Sequence, residues 1–345
     1  MSNYYCNNLC IEEKHMTSVS GFFCPAIVLS AFFFSLFVVK CWRNKKPPRP
    51  KKDKSTRRLR DRIFQEKCVD LAVNVNIIMR KRLVPLDPMI KEQNELKKRL
   101  IKRTDIPGVG KPDSFGGKMH GLDIIGGLDI SFDKSDPDGK EACATLSIID
   151  TNSLQPFAII NCFDQLESPY RPGFLGFREV PCFLRVWRRL QDTRAVPVPQ
   201  VLLIDGNGLL HPRRFGSACH AGVVLNIPTI GVAKQLMCTD GLTVDLVKKK
   251  LETAEYECFN RCRAKVVRLH SLVTDEVLGA AVLKEGLKKP IYISAGHRTS
   301  LDTAINIAVN TSRYRIPEPI RLADIEGRKA IREGREAERE VVKKL

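Results

Sequence analysis

The sequence predicts a mixed α/β domain whose sheet opens as an antiparallel meander, continues with parallel strands and is flanked by helices. Three strand-like stretches follow one another across short turns between residues 122 and 163. Two short, wholly apolar runs come later, each after a segment of helical spacing, and such runs suit central strands buried on both faces. The 345 residues are 43% hydrophobic and 28% charged. Those proportions are globular and exclude a disordered or fibrous chain.

Leu122–Phe132 is the first expected strand, and Asp133–Lys140 (DKSDPDGK) has turn chemistry. Ala142–Ile149 and Phe157–Phe163 complete the meander. Phe174–Leu190 has apolar positions at helical spacing, with basic residues on the other side. Pro181 inside it predicts a kink or two segments. Val201–Ile204 is a short buried strand ending in Asp205-Gly206-Asn207-Gly208. Phe215–Leu225 is expected to be a helix. Thr229–Ala233 is a second buried strand, ending at Lys234. Strands at Val277–Leu283 and Ile291–Ser294 and a helix at Leu301–Asn310 follow. The opening order β-β-β-α-β-α-β is the ribonuclease H-like layout. Upstream, Arg57–Lys81 has an imperfect helical face, Glu92–Arg103 a clearer one, and Pro107–Gly117 is a loop. Downstream, Ile325–Leu345 reads as a charged, solvated helical tail.

The formal charge is +18, and residues 40–60 carry eleven Lys/Arg against one Asp. The headline charge therefore belongs mostly to one run, and the rest is mildly basic. Just before that run, Gly21–Val39 holds nineteen residues without a charge. At about 1.5 Å per residue this is barely enough to cross a bilayer. The basic flank would keep the C-terminal bulk cytosolic. A membrane anchor is the expectation for 21–39, after a short segment 1–20. The alternative is a stretch that the working protein lacks. Residues 40–90 form a basic linker with a possible helix. Beside a membrane it would lie on anionic lipid; otherwise it would be a nuclear or nucleolar address or an RNA-binding arm. The expected location is cytoplasm and nucleus or nucleolus, or else membrane-anchored with the domain in the cytosol. The twelve cysteines are scattered, several of them (Cys143, Cys162, Cys182) in apolar runs. Reduced thiols fit that pattern. Cys6/Cys10 and Cys258/Cys262 lack a second pair at zinc spacing.

Three acids are out of the ordinary. Asp129 lies mid-strand between Leu128 and Ile130, where a carboxylate is disfavoured unless paired or metal-bound. Asp205 ends a buried strand, where open α/β sheets place ligands. Glu179 lies among apolar residues of the helix after the meander. Taken singly, Asp205 also reads as a turn residue and Glu179 as part of a solvated face. Together they converge in this layout, and clustered hard oxygens select Mg²⁺ or Mn²⁺, metals suited to phosphodiester hydrolysis. Lys234 and His297, at strand ends, are candidates for phosphate or leaving-group contacts. His211 and His220 read equally as capped or core histidines.

The motifs GGLDISF (126–132), PYRPGFLGFREVP (169–181), LLIDGNGLLHPRRFGSACHAGV (202–223) and PTIGVAK (228–234) occur in this order. ISAGHRTSLDTA (293–304) and RYRIPEPIRLAD (313–324) follow. With them the chain resembles the endonuclease V family, nucleases of inosine-containing nucleic acid, over residues 91–324. The DGNG and ACH wording is similar to the eukaryotic branch.

The resemblance implies Asp129, Asp205 and Glu179 as the Mg²⁺ site, with Glu179 binding through water or positioning the attacking water. It implies Lys234 at the scissile phosphate and His297 at the metal or leaving group. Pro169, Tyr170 and Arg171 would belong to a wedge in which Tyr170 replaces lost base stacking. Arg171 stands where relatives have an aliphatic residue. Gly173, Leu175, Gly206, Gly231 and Ala233 would shape the pocket for displaced hypoxanthine. The function implied is cleavage of the second phosphodiester 3′ to inosine, leaving 3′-hydroxyl and 5′-phosphate ends. Single-stranded RNA is favoured over deoxyinosine DNA, and the enzyme is expected to act as a monomer. The rival expectations are another ribonuclease H-like nuclease, or a membrane-tethered RNA-binding protein with an inactive nuclease fold.

Overall fold

The computed structural model describes residues 87–344 apart from positions 105, 107–108, 110–114, 135 and 137–138, and for 335–344 only the backbone. The expected anchor at 21–39, the basic run and the helix at Arg57–Lys81 lie outside the described residues. So does most of the loop at Pro107–Gly117. No helix among the described residues is long and apolar enough to cross a membrane.

The meander forms as expected: β1 (Ile124–Phe132), β2 (Glu141–Asp150) and β3 (Pro156–Gln165) pair antiparallel. Asp136 closes the first turn by accepting hydrogen bonds from the Lys140 and Glu141 amides. Asp150 closes the second, taking the Ser153 amide at 2.6 Å and its hydroxyl at 2.8 Å. β4 (Val201–Asp205) then lies parallel to β1, and β5 (Thr229–Ala233) parallel to β4. The remaining strands are β6 (Tyr256–Cys258), β7 (Arg263–His270), β8 (Val277–Lys284) and β9 (Ile291–Ala295), all antiparallel to their neighbours. The nine strands make one sheet in the order β3-β2-β1-β4-β5-β9-β8-β7-β6. β6 and β7 were not anticipated from the sequence, nor was the helix before them.

Among the described residues six helices flank the sheet: α1 (Pro88–Lys98), α2 (Leu175–Asp192), α3 (Ser217–Leu225), α4 (Val244–Thr253), α5 (Leu301–Asn310) and α6 (Glu318–Lys344). α1 begins and ends earlier than Glu92–Arg103. Proline suits a first helical position. After the helix the chain turns away to bond the segment at 297–303, where the Arg298 amide meets the Ile101 carbonyl at 2.7 Å. α2 is one continuous helix. Pro181 lies on its exposed side, where the carbonyl left without an amide can reach water. α3 starts two residues later than expected, after Gly216 at its N-cap. The tail reading needs a larger correction. α6 begins at Glu318, seven residues before Ile325, and its first turns lie on the sheet rather than in solvent.

Alternation along β1 assigns its two faces. Leu128 and Ile130 pack with α2 and α3 residues such as Phe183, Val186 and Ala218. Gly127, Asp129 and Ser131 face α6. A Cβ on Gly127 would stand 2.2 Å from the Pro319 carbonyl carbon, so only glycine lets the helix approach this closely. Ser147 donates to the Pro319 carbonyl at 2.6 Å, and Ile320, Ala323 and Gly327 are buried against the strands. The second core is formed by Ile125, Leu203, Ile230 and Ile293 with α5 residues Ile305 and Val309. All seven described cysteines are free thiols, and burial pushes Cys182 and Cys219 up to about 12.

Candidate active site

The parallel register that pairs Leu128 with Ile204 puts Asp129 and Asp205 side by side one position further on. Burial, then the Asp205 carboxylate, pushes Asp129 up to about 8. Asp324 adds to the rise, while Lys234 and the Ile130 amide oppose it. Glu179 reaches the same place from α2, on the other face of the sheet. It is buried, and desolvation followed by repulsion from Asp129 and Asp205 raises its pKa well above the carboxylate range. Its Oε2 has no hydrogen-bond partner among the described residues. Lys234 leaves the end of β5 beside β4, with Nζ 2.5 Å from Asp205 Oδ2. Burial disfavours its charge, but Asp205, Asp129 and Asp324 together hold its pKa above the ordinary lysine value.

Asp324 is a fourth acid that the sequence reading passed over. It lies on α6 next to buried Ala323, where its charge acts on both Asp129 and Lys234, and Arg328 contacts it at 2.5 Å from the next turn. The signal was present: an acid directly after apolar residues in RLAD, as in GLDIS.

His297 is not in this cluster. β9 runs antiparallel to β5, pairing Ala295 with Ile230, so the residues after β9 lie at the beginning of β5. His297 exchanges backbone contacts with Thr229, its carbonyl taking the Thr229 amide at 2.8 Å and its own amide donating to Thr229 Oγ1 at 2.8 Å. Its Nδ1 accepts from the Ile101 amide at 3.2 Å. Asp205 and Lys234 lie at the opposite ends of their strands. The expectation that His297 assists at the metal or leaving group is therefore corrected to a buried tie between the chain after α1 and the start of β5.

A cleft opens beside the acids, between the start of α2 and the turn after β4, with about 380 Å³ of empty space, part of it open to solvent. Gly173, Leu175 and Gly206 line it. Gln93, Asn207, His211, His220 and Met237 line it as well. Gly231 lies underneath, where a Cβ would meet the Gly208 amide at 2.5 Å. Ala233 packs with Leu210, Leu242 and Tyr292 in a separate apolar cluster, so it is a core residue rather than a pocket residue. Gly173 has φ +79°, and its carbonyl receives Arg213 Nη2 at 2.6 Å, His211 Nε2 at 3.1 Å and Gln93 Nε2 at 3.3 Å. These bonds fix the loop that follows Pro169, Tyr170 and Arg171. Burial, aided by Arg213, lowers His211 to about 4, and burial alone does the same to His220. Both rings are neutral at pH 7.

Pro169, Tyr170 and Arg171 are exposed on the turn before α2, with Tyr170 67% exposed. The Arg171 guanidinium lies 5.0 Å from the centre of the Phe174 ring, and Arg213 lies 4.2 Å from it. Tyr170 thus presents an exposed ring three residues before Gly173, which lines the cleft.

Among the described residues no three His, Cys, Asp or Glu side chains form a group able to hold a metal ion alone. The donor set is nonetheless all oxygen, and the buried, unpartnered Glu179 oxygen and the raised acids show a charge deficit that a divalent cation would relieve.

A profile of the Endonuclease V family matches residues 112–325. Endonuclease V of Mus musculus is 39% identical over 250 residues, covering 70% of this chain and 68% of its own. That of Homo sapiens is 38% identical over 247 residues, covering 70% and 82%. The crystal structure of the catalytic domain of human Endonuclease V superposes with a TM-score of 0.64 at 37% identity, over 71% of this chain and 95% of its own. A Ciona intestinalis Endonuclease V, in complex with a 23mer DNA containing an inosine followed by a ribo-adenosine, gives 0.61 at 30% identity, over 71% and 96%. The profile covers well over half of the chain, including the meander, the acid-bearing strands and the start of α6, and so the chain belongs to the Endonuclease V family.

Proposed function

We propose that this protein is a Mg²⁺-dependent endonuclease that hydrolyses the second phosphodiester 3′ to inosine, preferentially in single-stranded RNA and also in deoxyinosine DNA. The observation that carries the reading is the meeting of Asp129, Asp205, Glu179 and Asp324 with Lys234 beside a cleft. The Ciona relative adds support, since it holds a strand containing an inosine followed by a ribo-adenosine.

Asp129 and Asp205 would hold the metal, adjacent as they are across β1 and β4. Mg²⁺ commonly binds through one or two carboxylates and completes its shell with water and substrate phosphate, which fits a site without a closed protein cage. When bound, the ion would polarise the phosphate and lower the pKa of attacking water. Glu179, on the other side of the acids, would orient that water. Lys234 would place its ammonium on the phosphate undergoing attack, and the Asp324 charge would help keep that ammonium protonated. Tyr170 would stack where the displaced base had been, a contribution of about 1–3 kcal/mol. The RNA preference rests on the resemblance to eukaryotic members.

The test is cleavage of single-stranded RNA with one inosine, the matching deoxyinosine DNA and unmodified controls, in Mg²⁺ or EDTA at one low salt concentration. Metal-dependent cutting near inosine, faster in RNA, is the expected result. Equal cutting of an unmodified RNA–DNA hybrid would instead point to a general ribonuclease H-like nuclease.

A further inference from the structure

We propose that Tyr314 is a stacking platform for the base of the second nucleotide 3′ to inosine, the nucleotide whose 5′-phosphate is attacked; the inference rests on the inosine reading above. Tyr314 lies in the short connection between α5 and α6 and is 62% exposed. The Arg321 guanidinium lies over its ring, 5.3 Å from the centre. That guanidinium is held in turn by the carboxylate of Glu318, with Nε at 3.0 Å and Nη2 at 2.7 Å. Glu318 is buried in the first turn of α6. A cation over an aromatic face attracts the ring. Tyr314 is therefore backed by a fixed group while most of it stays open to solvent.

The ring stands next to the acids. Arg315, the following residue, donates from Nη2 to the Lys234 carbonyl at 2.6 Å and to the Pro290 carbonyl at 2.8 Å. The connection is thereby tied to the end of β5 from which Lys234 reaches Asp205. Arg321 precedes Asp324 by three residues on α6, and residues so spaced are neighbours on a helix surface. Lys234 and Asp324 thus border the acids on the side where Tyr314 lies. Tyr170 belongs to the other face of the sheet. It leads into α2, which packs on Leu128 and Ile130, whereas α6 covers Gly127. The two exposed tyrosines bracket the carboxylates from opposite faces. A strand with its inosine at Tyr170 and its attacked phosphate at Lys234 continues towards Tyr314. An aromatic ring in the path of a single strand stacks with any base, because every base has a π-face. The platform therefore positions the strand beyond the cut and adds no sequence preference there.

The full chain is tested with three single-stranded RNAs that each carry one inosine. The first is otherwise intact, the second is abasic at the second nucleotide 3′ to inosine, and the third is abasic at the second nucleotide 5′ to it. Single-turnover cleavage in Mg²⁺ and strand binding in EDTA are measured for wild type, Tyr314→Ala and Tyr314→Phe, each checked by thermal unfolding. Tyr314→Ala is expected to slow cleavage and weaken binding of the intact strand by about 5- to 100-fold, the range for loss of one base–aromatic stack. Wild type should lose a similar factor on the 3′-abasic strand, where Tyr314→Ala adds less than about twofold. On the 5′-abasic strand Tyr314→Ala should show its full loss. Tyr314→Phe keeps the ring and should restore most of the loss. Equal losses for Tyr314→Ala on the intact and 3′-abasic strands, no loss on either, or a loss in Tyr314→Phe as large as in Tyr314→Ala would overturn the assignment. If wild type binds the inosine strands but cuts none, the nuclease reading fails, and the ratio of intact to 3′-abasic binding in EDTA still decides whether Tyr314 stacks there. A wild type that neither cuts nor binds them overturns both.

Discussion

Lys234 and Asp205 meet at 2.5 Å across the ends of two parallel strands, and Lys234 brings a positive charge among four carboxylates. Lys234 also opposes the rise of the Asp129 pKa. Replacing Lys234 with Met should lower single-turnover cleavage by about 10²–10³-fold, the range seen when a preorganised charge-stabilising donor is lost. The rising limb of the pH–rate profile should also move to higher pH, because Asp129 becomes harder to ionise. A profile displaced downward without that shift would mean that Lys234 acts on the phosphate alone.

Asp129 should reduce apo stability at high pH. Its folded-state pKa of about 8 lies above the unfolded value of about 3.9. The folded apo-protein therefore favours the protonated form, and this stability is full below about pH 4 and lost as pH rises through about 8. Asp129→Asn should raise the melting temperature in EDTA at pH 8.5, on the order of 5 °C, and abolish cleavage. Calorimetry at pH 6 and pH 8.5 checks the sign, since the gain should shrink at the lower pH.

Asp324 and His297 should separate in opposite ways. Asp324→Asn is expected to lower cleavage by about 10²-fold with little change in unfolding. His297→Gln should lower the melting temperature while the cleavage rate of the folded fraction stays within a few-fold of wild type. A rate loss for His297→Gln as large as that for Asp324→Asn would return the histidine to the active site.

Acid should loosen the cleft first. His211 and His220 have folded-state pKa values near 4 because they are buried, against about 6.5 when unfolded. Their contribution is full above about pH 6.5 and lost as pH falls to about 4, at roughly 3 kcal/mol each. Urea unfolding at pH 7, 5.5 and 4.5 should show that loss, with a shallower slope for His220→Leu.

The meander was legible because its strands are apolar runs bounded by Asp-, Pro- and Gly-rich turns, and the two parallel strands because they are apolar throughout. Asp129 was visible as an acid in the wrong neighbourhood. Asp324 was missed because α6 meets the sheet through Ala323 and Gly327, small residues that leave only a faint apolar stripe among opposite charges. β7 was missed for a related reason, as its Arg and Lys positions look like a solvated helix face. His297 was misplaced because a strand end was read as a site end. β9 runs opposite to β5, and that direction reverses which end its last residue occupies. Gln93 had no local signal at all, since its place in the cleft depends on α1 docking on residues 173 and 215.

The approach of α6 to Gly127 also sets an order of assembly. A nascent chain released as far as residue 310 carries all nine described strands, but its first two still lack their cover and its acids lack Asp324. The contact that completes the site joins positions nearly two hundred residues apart in sequence, the kind of non-local pairing that forms late and slowly. During synthesis the acid cluster is therefore the last part of the described domain to be completed, after the rest of the sheet is already in hand.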